Sequence, residues 1–168
     1  FGAGYSTDTE VSGTISLSER NFLGKGQRLL FEVLTSASNK RVKFGFTEPA
    51  FLDRDLSASI DFTYLDLEPR QSSYTANESS VKTGFGFSLG PDSRLITSLK
   101  LSEEKIVVPS STNSLILKDD AGTLSNAEVS LSYVKDGRDS IIKPLSGYLF
   151  LSDFSISGLS GNHTMLKG

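Results

Sequence analysis

The sequence predicts an all-β protein, a transmembrane antiparallel up-and-down β-barrel. Apolar and polar residues alternate through nearly every segment long enough to show a period. Most of these segments come near the length of a tilted bilayer-crossing strand, about 9 to 11 residues. The connections between them fall into a compact class and a class with long polar loops. A hydrophobic fraction of 37%, with Ser, Thr and Gly set between scattered Leu, Ile, Val and Phe, suits a sheet with one apolar face. The regular period rejects a disordered chain of the same composition.

The elements follow in order. After a short opening segment, Phe1 to Ser6, Val11, Gly13, Ile15 and Leu17 share one face and Ser12, Thr14, Ser16 and Ser18 the other. Leu29, Phe31 and Val33 oppose Arg28, Leu30, Glu32 and Leu34, a weaker contrast. Val42, Phe44 and Phe46 oppose Arg41, Lys43, Gly45 and Thr47. Leu56, Ala58, Ile60, Phe62 and Tyr64 oppose Ser57, Ser59, Asp61 and Thr63. The pattern recurs with Val81 to Leu89, Leu95 to Leu101, Ala127 to Tyr133 and Tyr148 to Ile156, giving about nine strands. A tenth begins at His163 to Gly168.

Compact turns follow every even strand: Asn21 to Gly26, Pro49 to Asp55, Gly90 to Ser93, and Asp136 to Gly147. The odd connections include two long polar loops, Asp66 to Ser79 and Val107 to Asn126. Outer-membrane barrels pair short periplasmic turns with longer extracellular loops, so the compact edge is expected to face the periplasm. A soluble β-sandwich also alternates. Strand length, strand number, the shortage of bulky residues for a shared core and the inward charges Arg28, Glu32, Arg41, Lys43, Asp61, Lys82, Lys100 and Asp153 favour the barrel. Bacterial barrels close with an even strand number, and an open edge in lipid costs on the order of several kcal/mol for each unpaired backbone group. Residues 1–168 are therefore expected to be the first nine to ten strands of a larger barrel.

Chemistry is sparse. A net charge of -3 gives no electrostatic footprint for nucleic acid, and the absence of Cys removes disulfides and thiolate chemistry. The single histidine, His163, lacks supporting context for nucleophilic catalysis. Glu103 and Glu104 point to opposite faces while extended, and Asp119-Asp120 is another adjacent pair. Asp53 and Asp55 flank Arg54 in a turn, where capping of turn amides is expected before cation binding. Gly84-Phe85-Gly86 lacks the dinucleotide spacing and a following helix, and small inward residues explain it better. The sequence therefore predicts no enzyme, no metal and no cofactor.

The run FGAGYSTDTEVSGTISLSERNFLGKGQRL, with FTEPAFLDRD at Phe46 to Asp55 and SYVKDGRDSIIKPLSGYLFLS at Ser132 to Ser152, resembles the barrel domain of the BamA family of outer-membrane assembly factors. The resemblance implies a barrel of about 16 strands in the Gram-negative outer membrane, preceded by periplasmic POTRA domains. Its implied partners are lipids, unfolded β-barrel client proteins and assembly-complex lipoproteins. It also implies a lateral gate edged by Phe1, Gly2, Ala3, Gly4, Tyr5 and Ser6, where a client strand is templated by β-augmentation. Asn21, Phe22, Leu23, Gly24, Phe51, Leu52, Asp53, Arg54, Asp136, Arg138 and Asp139 would then form periplasmic turns. Ile141-Ile142-Lys143 departs from the family's more polar stretch in the last of these. A TamA-like or two-partner-secretion transporter, and a passive porin, are the alternative readings.

Overall fold

The computed structural model describes residues 2–6, 10–68, 75–108, 122–158 and 165–167. Phe1, Asp119, Asp120, His163 and Gly168 lie outside them. The described residues form one antiparallel sheet of ten strands in strict chain order. These are β1 (Gly2–Ser6), β2 (Glu10–Phe22), β3 (Gln27–Thr35), β4 (Asn39–Glu48), β5 (Leu56–Leu67), β6 (Thr75–Gly90), β7 (Ser93–Val107), β8 (Gly122–Asp136), β9 (Leu149–Ser157) and β10 (Met165–Lys167). The expected tenth strand is present as Met165–Lys167, paired with Ser155–Ser157 of β9.

Register fixes the faces. Leu17, Phe31, Phe44, Phe62, Val81, Leu101 and Ala127 are consecutive partners across β2 to β8. Because side chains alternate with a period of two, this row and its parallels make one face continuously apolar. On the opposite face Ser59, Gly84, Ser98, Ser130 and Ser155 form a row of small residues. Beside it run Asp61, Lys82, Lys100 and Glu128.

Burial inverts the order of a water-soluble domain. Among the described residues no hydrophobic side chain is buried, and the buried polar residues are Ser36, Ser38, Ser80 and Ser98. Gly45, Gly84 and Gly86 are buried too. All of these strand positions lie on the polar face. A sheet that crowds small polar residues together and turns Phe, Leu and Val outward requires an apolar solvent on its outer side. Gly84 and Gly86 thus serve as small inward residues, as their spacing suggested. Glu103 and Glu104 are adjacent in extended β7 and share no face.

The long loops are shorter than their polarity predicts. β5 and β6 remain paired through Asp66↔Asn77 and Leu67↔Ala76, and β7 and β8 through Lys105↔Thr123 and Ile106↔Gly122. The physical reason is that Ser, Asn and Asp mark where the apolar band ends, whereas a backbone ladder continues beyond it. Side chains brace these extensions: Lys40 Nζ lies 3.5 Å from Asp66 Oδ2, and Lys100 Nζ 3.2 Å from Glu78 Oε1.

Candidate functional site

Two features of the sheet can hold a partner: the edge strand β1 and the compact-turn edge. β1 brings Gly2, Ala3, Gly4, Tyr5 and Ser6 opposite Thr14, Gly13, Ser12, Val11 and Glu10. It has 5 residues where its neighbour β2 has 13. It ends the sheet on one side, as β10 does on the other. An edge strand offers a row of backbone donors and acceptors to an added strand. Gly2 and Gly4 contribute no side-chain packing and lose more conformational freedom on pairing than other residues.

At the compact edge, two turns share one construction. Glu19-Arg20-Asn21-Phe22-Leu23-Gly24-Lys25 and Glu48-Pro49-Ala50-Phe51-Leu52-Asp53-Arg54 both read Glu, two residues, Phe-Leu, one residue, then a basic residue. In the first, the Gly24 amide donates to the Asn21 carbonyl at 3.0 Å and the Lys25 amide to the Phe22 carbonyl at 3.2 Å. In the second, Asp53 donates to Ala50 at 3.0 Å and Arg54 to Phe51 at 3.3 Å. The leading glutamate closes each: Glu19 Oε1 accepts from the Asn21 amide at 2.9 Å, and Glu48 Oε1 from the Ala50 amide at 3.1 Å. The capping expected of Asp53 and Asp55 is therefore done by Glu48. Its carboxylate, at the end of β4, reaches the Ala50 amide at the start of the turn.

Both turns carry positive φ at their two central residues, Leu23 at 55° and Gly24 at 72°, Leu52 at 58° and Asp53 at 55°. Primed hairpin turns of this kind normally take Asn or Gly, and a left-handed backbone costs another L residue about 1 kcal/mol. The sequence signal was an internal repeat, which a strand-by-strand reading passed over.

The fourth turn is larger and is held by several side-chain and backbone hydrogen bonds. Arg138 forms a two-pronged pair with Asp136, Nε to Oδ1 and Nη2 to Oδ2 both at 2.7 Å. Asp139 Oδ1 accepts from the Leu145 amide at 3.0 Å. The Ser146 and Leu145 amides beside Asp139 hold its carboxyl below the ordinary carboxylate range. Gly147 sits at φ 108°, and a Cβ there would collide with the Gly137 carbonyl oxygen. The Asp136 amide donates to the Asp92 carbonyl at 2.8 Å, tying this turn to the Gly90–Ser93 turn.

On the polar face just inside that edge is an open cavity of about 550 Å³, lined by Asp55, Ser57, Gly86, Arg94, Asp136 and Arg138 among others. Arg94 reaches across β6 to donate from Nη2 to Ser57 Oγ on β5, over the space that a side chain at Gly86 would fill. Sequence reading named neither role, because the bridge skips a strand and shows only in the register. The predicted turn residues are thus gathered at one edge. The β1 residues stand apart from them, opposite the part of β2 farthest from its turn. Among the described residues no group of three or more His, Cys, Asp or Glu could hold a metal.

Comparison with known proteins decides the family. The Omp85 superfamily domain matches residues 21–168. The chain belongs to the Omp85 superfamily. It is 26% identical over 170 residues to the outer membrane protein assembly factor BamA of Nitratidesulfovibrio vulgaris, a match covering 99% of this chain and 21% of that protein. The chain thus spans about a fifth of the length of this curated relative. The crystal structure of BamA from Haemophilus ducreyi lacking POTRA domains 1-3 superposes with a TM-score of 0.60 at 16% identity, over 92% of this chain and 32% of that one. This superfamily comprises outer-membrane assembly and transport barrels, a generally non-enzymatic group, and places the chain in the outer membrane. The apolar face accordingly meets lipid and the polar face the barrel lumen.

Proposed function

We propose that the chain is the gate-bearing part of an assembly factor that folds and inserts β-barrel proteins into the outer membrane. The observation that carries this reading is β1, which holds Gly2 and Gly4 and pairs with β2 in an Omp85 barrel. A client strand adding to that edge gains main-chain hydrogen bonds while its own apolar side chains stay in lipid, so insertion proceeds without covalent chemistry. Phe1, named with this edge from the sequence, lies outside the described residues. The compact turns face the periplasm, where the assembly-complex lipoproteins and upstream POTRA domains work, and the full barrel closes with about 16 strands.

The test is to reconstitute the full-length protein in liposomes and add a urea-unfolded client barrel. Acceleration of client folding is expected, without steady ion conductance in planar bilayers. Conductance with no acceleration would instead indicate a passive porin.

A further inference from the structure

From the twin turns we infer a second lipid contact: Phe22-Leu23-Gly24-Lys25 and Phe51-Leu52-Asp53-Arg54 are interfacial anchors that bind phospholipid at the compact-turn edge. The inference rests on the reading above only for naming that leaflet periplasmic. Leu23 and Leu52 are 73% and 70% exposed, although each occupies a backbone position that Gly or Asn would fill without strain. A strained residue kept twice, in the same hydrogen-bonded frame, with the same exposed side chain, points to a role for that side chain.

Lipid is the occupant because the second turn is continuous with the lipid face. Phe51 packs edge-on against Phe85 of β6, ring centroids 6.2 Å apart, and Phe85 lies on the outward row with Ala58 and Thr97. The turn therefore folds beside the wall's apolar surface rather than into the lumen. Phe22 holds the matching sequence position in the first turn and pairs with Gln27, two residues before outward-facing Leu29. Lys25 and Arg54 follow each Leu and are exposed. An apolar side chain at the acyl boundary with an adjacent cation at phosphate level is the composition that holds a segment in the membrane interface.

The experiment places a nitroxide, through cysteine, at position 23 or 52 of the full-length protein in phosphatidylethanolamine and phosphatidylglycerol vesicles. Controls sit at position 92 in the Gly90–Ser93 turn and at position 44 on the apolar face. Collision with oxygen is compared with collision with a water-soluble nickel chelate. Labels at 23 and 52 are expected to favour oxygen, at depths of about 5–10 Å below the headgroup boundary, whereas the label at 92 favours the chelate. Chelate access at 23 and 52 equal to that at 92 overturns the inference, and so does protection from both reagents, which means a protein covers the turns. A label at 44 that behaves as water-exposed would instead sink the barrel reading. L23N and L52N give a second readout, since Asn accepts the backbone: they are expected to keep heat-modifiable folding and to slow insertion into vesicles severalfold. Unchanged or faster insertion, from relief of strain, also overturns the inference.

Discussion

The edge strand β1 and the wall formed by β5 to β8 belong to one continuous sheet but differ in where they place glycine. Two of the five described residues of β1 are glycine, whereas β5 and β7 hold none among 12 and 15. The wall adds cross-strand braces on its polar face, including the Ser98–Ser130 hydroxyl pair at 2.6 Å and the Arg94–Ser57 bridge over Gly86. Each net hydrogen bond contributes about 1 kcal/mol, so the wall's ladders and braces hold one another many times over. The difference teaches that glycine can serve two ends in one sheet: Gly86 makes room for a brace within the wall, whereas Gly2 and Gly4 lie in the strand proposed to receive the client.

The comparison breaks most readily at the wall's far connection. Gly147→Ala should destabilise the folded barrel by about 3 kcal/mol, because neither the backbone angle nor the Gly137 carbonyl leaves room. Loss of the heat-modifiable band on electrophoresis at moderate urea would register it, and wild-type resistance would show that the turn is not built as described. Within the wall, Ser98→Ala should cost about 1 kcal/mol by leaving the half-buried Ser130 hydroxyl without its partner. Adding Ser130→Ala should recover part of that loss, a coupling read by a double-mutant cycle in urea. At the seam, Gly4→Val should strengthen β1 pairing by about 0.5–1 kcal/mol and slow client folding. A variant that folds clients at the wild-type rate would mean that lability of β1 is irrelevant.

The smallest expected effect is a pH response of the Asp139 turn. Its carboxyl is held below the ordinary value of 3.8 by turn amides, so the stabilisation is complete above that value and is lost as pH falls through the lower folded value. Hydrogen exchange at the Leu145 amide should accelerate only in that acidic window. Acceleration already at neutral pH would contradict the bond.

Much of this was legible in the sequence. The alternation at Val42 to Phe46 and Leu56 to Tyr64 gave strand faces that the register reproduces, because a period of two is a direct image of a one-sided sheet. The compact turns likewise fell where predicted. The ends of β5 to β8 did not, since Asp66, Asn77 and Lys105 are polar yet paired: hydrophobicity reports solvent, not hydrogen bonding. The roles of Glu19, Glu48 and Arg94 were also hidden, because a cap depends on side-chain direction and a bridge across β6 depends on register.

The seam itself is tested most directly by crosslinking. Single cysteines at Ala3 and Tyr5 in the full-length protein, challenged with a client carrying cysteines along its terminal strand, should form adducts at both positions in one consistent strand register. Control cysteines on the wall, at Leu99 or Val129, should form none. Adducts absent at both β1 positions, or appearing equally on the wall, would contradict the account that the first strand receives the client.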